Sequence, residues 1–91
     1  MELTDFVFAL QCGEEIEICL ENKLYFLQPE YETLNRNYDK NTPPYPNTII
    51  FDVTESDTKE IFRGCTEDVL DYKFNGTHTL RSNLTDFRIL W

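Results

Sequence analysis

The stretch that most restricts the fold is Glu14–Glu32, EEIEICLENKLYFLQPEYE. Glu15 and Glu17 alternate with Ile16, Ile18 and Leu20. A period of two marks a strand with one wet and one buried face, because successive side chains point to opposite sides. Ile16, Ile18 and Leu20 form one row; Glu15, Glu17 and Cys19 form the other. Glu21-Asn22 then supplies a tight turn, since asparagine tolerates left-handed backbone. Leu24, Tyr25, Phe26 and Leu27 run back as a second strand, which Pro29 ends because proline cannot donate to a ladder. A two-residue loop sets Ile18 against Tyr25 and Ile16 against Leu27, whereas a three-residue loop sets Ile18 against Phe26. One slipped residue exchanges the two faces. The shorter loop is preferred, and it puts Leu24 and Phe26 beside the acidic row. Two large apolar residues on a solvent face mark an interface. Glu15, Glu17, Cys19, Leu24 and Phe26 are therefore the candidate partner-binding residues.

The flanking sequence supplies the other elements. Leu3, Phe6, Val7 and Leu10 fall at helical spacing, with Thr4 as the expected cap, Asp5 in the first turn and Gly13 where a C-cap belongs. Residues 31–47, YETLNRNYDKNTPPYPN, read as a long polar loop holding Arg36, Tyr38, Lys40 and Tyr45. Loops of this length in a small domain are functional or mobile. Residues 48–53, TIIFDV, are rich in β-branched residues and read as a strand. A polar turn over residues 54–58 leads to its partner, KEIFR (residues 59–63), which Gly64 is expected to end. Thr66 is the expected cap of a second helix, with Glu67 and Asp68 at its positive end and Val69, Leu70 and Phe74 facing inward. Asn75-Gly76 breaks that helix. Thr79 caps a further helical turn with Leu80 and Leu84 on its inner side. In the closing DFRILW, Phe87, Ile89 and Trp91 alternate with Arg88 and Leu90, a last strand. The order predicts an α+β fold: a small antiparallel sheet of about five strands, two hairpins and a C-terminal strand, with short helices on one face. Glu15 and Glu17 then belong to the wet face.

A short helix, GEEIEI and a hairpin, then EIFRG, EDVLDYKFNG, THTL and a closing strand resemble a set of short uncharacterised proteins of Gram-positive bacteria and their mobile elements. The resemblance spans most of the chain apart from residues 31–47. Its motifs are structural, so it implies a layout and assigns no residue a role.

Length and charge bound the function. A chain of 91 residues has room for one domain, residues 1–91, with one modest core. With 17 acidic against 8 basic residues the formal charge is −9, which repels phosphate. Direct binding of nucleic acid and docking on anionic membrane are therefore not expected. The N-terminal residues lack the basic and apolar regions of a signal peptide. The three cysteines, Cys12, Cys19 and Cys65, have no paired spacing, and free thiols in a reducing cytoplasm are the simple reading. Asn75-Gly76-Thr77 and Asn83-Leu84-Thr85 match the glycosylation pattern by chance.

No chemistry-bearing constellation stands out. His78, the single histidine, reads as an exposed loop residue, and a dyad with Cys65 requires contact that sequence does not reveal. There is no CxxC or HxxxH for zinc. Asp52, Glu55 and Asp57 read as a solvated turn, because the loop lacks the length and glycine of a calcium-binding loop. No cofactor, metal site or catalytic residue is expected. The leading expectation is a small acidic cytoplasmic interaction or regulatory module, possessing a protein partner with a basic surface and a setting in bacteria or a mobile element. A nucleic-acid mimic that occupies the basic groove of a nuclease or DNA-binding protein is the first alternative. A small enzyme with an unrecognised site is the second.

Overall fold

The computed structural model describes residues 2–31, 33, 49–56 and 59–90. Among them, helix α1 (Leu3–Gln11) is followed by strands β1 (Ile16–Leu20), β2 (Lys23–Pro29), β3 (Ile50–Glu55) and β4 (Lys59–Cys65). Helices α2 (Thr66–Asp71) and α3 (Leu80–Asn83) and a 3-10 turn (Leu84–Asp86) lead to strand β5 (Arg88–Leu90). The strands make one open antiparallel sheet in the order β4-β3-β2-β1-β5, and the fold is α+β.

The first hairpin takes the two-residue loop. Glu21 and Asn22 both have positive φ, 50° and 69°, the backbone whose twist matches that of paired strands. Ile18 lies opposite Tyr25 and Ile16 opposite Leu27. Ile16, Ile18, Leu20, Tyr25, Leu27, Phe51 and Val53 are all buried on the inner face. Phe6, Ala9 and Leu10 of α1, Val69 and Leu70 of α2, and Leu80 and Leu84 join them in a single core. Phe74 is fully buried at the centre of an aromatic cluster, with ring centroids 4.9 Å from Tyr25, 4.9 Å from Tyr72 and 5.6 Å from Phe87. The edge-to-face angles place ring hydrogens on ring faces, the favoured arrangement.

Several local expectations are corrected. Thr4 does not cap α1; the helix begins at Leu3, with Glu2 at the cap. Thr66 does not cap α2 either. Cys65 holds that position, and the Asp68 carboxylate accepts from its backbone N–H at 3.2 Å. Thr66 is instead fully buried as the first helical residue. Gly64 does not end β4. It pairs with Phe51 inside the strand, where a Cβ would lie 2.7 Å from both Asp68 Cβ and Phe62 Cζ. Its missing side chain lets α2 fold back directly onto the strand that leads into it. Phe74 is not on α2, which ends at Asp71; the chain turns extended at Tyr72. Asn75-Gly76, with φ of 55° and 77°, forms a tight turn in which Phe74 and His78 exchange backbone hydrogen bonds. β3 continues through Glu55 beyond the expected Val53. The expectations for Thr48, Asp57, Trp91 and most of 31–47 lie outside the described residues.

Candidate interaction face

The two-residue turn determines the content of the face turned away from the helices. Cross-strand pairing puts Glu17 opposite Phe26 on one side and Leu90 on the other. Cys19 lies between Leu24 and Arg88 in the same way. Further along, Gln28 faces Asp52, and Asp52 faces Arg63. Glu15, Glu17, Cys19, Leu24 and Phe26 are thus brought to one side of the sheet. Glu15 and Glu17 are exposed, and the other three are half-buried. Leu24, Phe26, Ile50 and Leu90 lie outside the core cluster, whereas Ile61 and Ile89 pack against it. An open cleft of about 850 Å³ runs along this face, lined by Glu15, Glu17, Phe26, Gln28 and Leu90 over the strands at Ile16 and Leu27.

The face has its own electrostatics. The Tyr31 hydroxyl donates to the Glu15 carboxylate, and this hydrogen bond pushes the phenol pKa up. Arg63 grips Glu30 with two hydrogen bonds, at 2.5 and 2.9 Å, and stands 3.8 Å from Asp52. The guanidinium holds the Glu30 carboxyl below its ordinary value. Burial, then the hydrogen bond with Glu30, pushes Asp52 up. The pair shares one cation, so the second carboxylate is the harder to ionise.

Residues that sequence reading left out of the site include Leu90 and the Glu30–Asp52–Arg63 group. Leu90 was legible as facing away from Ile89. Its place beside Glu17 depends on β5 joining the β1 edge, and a strand's partner is not encoded in its alternation. Glu30 and Arg63 meet across 33 positions of chain, and nothing local announces that.

The remaining residues weighed for chemistry are dispersed. His78 Nε2 stands 3.6 Å from Asp86, its Nδ1 is 2.6 Å from the Thr77 hydroxyl, and its ring meets Phe87. Cys65 instead lies against Asp68, with Sγ 3.2 Å from its carboxylate. Asp52 and Glu55 fall on opposite faces of β3. Among the described residues no group of three or more metal-ligating side chains converges. Cys12, Cys19 and Cys65 are not in disulfides, and burial with Glu14 nearby pushes the Cys12 thiol up, away from the reactive thiolate. Among the described residues no helix is long and apolar enough to cross a membrane.

The fold and this face define the molecule as an α+β domain with an acidic, partly apolar sheet face. Comparisons with models of known families, with curated proteins and with solved structures found no match.

Proposed function

We propose that this protein is a small acidic interaction or regulatory module of the cytoplasm, and that the sheet face carrying Glu15, Glu17, Cys19, Leu24 and Phe26 receives a protein partner with a basic surface. The observation that supports it is the row in which Glu17 lies between Phe26 and Leu90, two large apolar side chains outside the core. Apolar anchors with charges around them are the ordinary composition of an interface. The charge of −9 removes the counterion-release drive for phosphate binding, so the partner is neither nucleic acid nor anionic lipid. The resemblance to short proteins of Gram-positive bacteria and mobile elements adds a setting for such a module and no residue role. A nucleic-acid mimic would keep its carboxylates free and evenly spaced. Glu30, Glu67 and Asp71 are instead engaged by Arg63 and Arg81, which favours the protein-partner reading.

Affinity capture from the source cell, followed by mass spectrometry, tests the proposal. Partners held by the wild-type chain should be lost by Phe26→Ser and by the Glu15→Gln, Glu17→Gln double variant, with both variants folded by circular dichroism. For the double variant the loss should be greatest at low salt, where exposed charges act furthest. Partners that all persist on both variants, or retardation of plain duplex DNA at moderate salt, would contradict it.

A further inference from the structure

We infer that the occupant of this face is a basic amphipathic helix of the partner, with a lysine or arginine lying over Phe26 and Leu90 and meeting Glu17. This rests on the reading of the face just given and names what fills it. An apolar residue, a carboxylate and a second apolar residue in one cross-strand row match a side chain that is aliphatic along its stem and positive at its tip. The Phe26 ring adds attraction for the cation. Glu15, two residues earlier, extends the negative end of the cleft.

The form of the occupant follows from what the sheet leaves available. Among the described residues β4 is an edge, but its ladder is broken where Val53 pairs with Phe62 and Thr54 with Glu60, which leaves Ile61 as a bulge. Lys59 and Arg63 flank that bulge. Bulges and charges are how sheet edges resist an added strand. β5, the other edge, has three residues, too few to align a new strand. An extended segment laid on the face itself finds no ladder for its amides, and buried unpaired amides are costly. A helix satisfies its own backbone, and its apolar stripe would complete a helix–sheet–helix sandwich. A second copy of this chain would set Glu15 and Glu17 near their own counterparts in a two-fold interface, and like charges there oppose association. Charge complementarity therefore selects a basic partner.

The test is selection from a library of random peptides of about 15 residues, enough for four helical turns, on the immobilised full chain. The selected peptides should be rich in lysine and arginine, with apolar residues at i, i+3 or i+4, and i+7. Their affinity should fall at least about tenfold on Glu17→Lys, a variant that keeps Phe26 in place. Amide signals of β1, β2 and β5 should shift when a selected peptide is added. Apolar spacing of two, peptides without basic residues, or equal binding to Glu17→Lys overturns the inference. If cellular partners are lost on Phe26→Ser while the selected peptides are not basic helices, this occupant is wrong and the face stands. Shifts confined to α1–α3 overturn both.

Discussion

Gly13 has φ of 74°, in the left-handed region, and follows α1 as its C′ residue. Its N–H donates to the Leu10 carbonyl at 2.9 Å, and the Glu14 N–H donates to Ala9 at 3.2 Å, the paired bonds of a Schellman cap. A β-branched residue is strained there, so Gly13→Val should cost about 1 kcal/mol or more. That loss should appear as a melting temperature several degrees lower for a domain of this size; no change would mean the cap carries no strain. Thr66 presents the opposite case. It is fully buried and its Oγ1 has no hydrogen-bond partner. A buried hydroxyl without a partner costs desolvation and returns nothing. Thr66→Val, nearly the same shape, should raise stability by about 1 kcal/mol in urea titration. A lower midpoint would reveal a hydrogen bond that the hydroxyl makes after all. Gly13 could be assigned from sequence because glycine after an apolar helical pattern has one common use. Thr66 could not, because threonine before Glu and Asp reads as a cap until Gly64 brings α2 onto β4.

At the scale of elements, α2 and α3 are each too short to persist alone, and helices of this length depend on tertiary contacts. The Thr79 side chain accepts from the Ser82 N–H at 3.1 Å, which caps α3 as its sequence suggests. Arg81 then ties the two helices together. It donates to Asp71 at 2.7 Å and to Glu67 at 2.5 Å. The hydrogen bond from Arg81 lowers the Asp71 pKa. A carboxylate depressed in the folded state adds stability that is fully present above its unfolded value, about 3.9, and is lost as pH falls through the folded value. Arg81→Gln should therefore be less stable than wild type at neutral pH, and the deficit should begin to shrink below about pH 4 and disappear once the pH is below the depressed folded value of Asp71. Urea midpoints measured across that range check it. A deficit that persists in acid would mean that Arg81 acts through packing of its stem. All three groups are substantially exposed, so the effect at neutral pH should be small.

For the whole molecule the test is the order of two effects on opposite faces of β1. Ile18 is fully buried, and Ile18→Ala should cost about 2–5 kcal/mol because it leaves a cavity. Changing Glu15 and Glu17 together to Gln should cost less than about 1 kcal/mol, since both are exposed. The reverse order in denaturant unfolding would mean that the sheet has its faces exchanged. Alternation and local signals determined this much without the tertiary structure: which residues of β1 are wet, that Pro29 ends β2 and that helices cover one side; a turn at Glu21-Asn22 is preferred, and the structure chose it over the three-residue loop and so put Leu24 and Phe26 beside the carboxylates. These are local properties, set by side-chain period, by proline's missing N–H and by asparagine's tolerance of positive φ. The tertiary structure alone decided that β5 lies beside β1 so that Leu90 meets Glu17, that Arg63 reaches Glu30 and Asp52, that Gly64 stays within its strand, and that Phe74 leaves its helix to join Tyr25, Tyr72 and Phe87. Each depends on contact between segments far apart in the chain, and a residue's own pattern carries no record of the partner that packing brings to it.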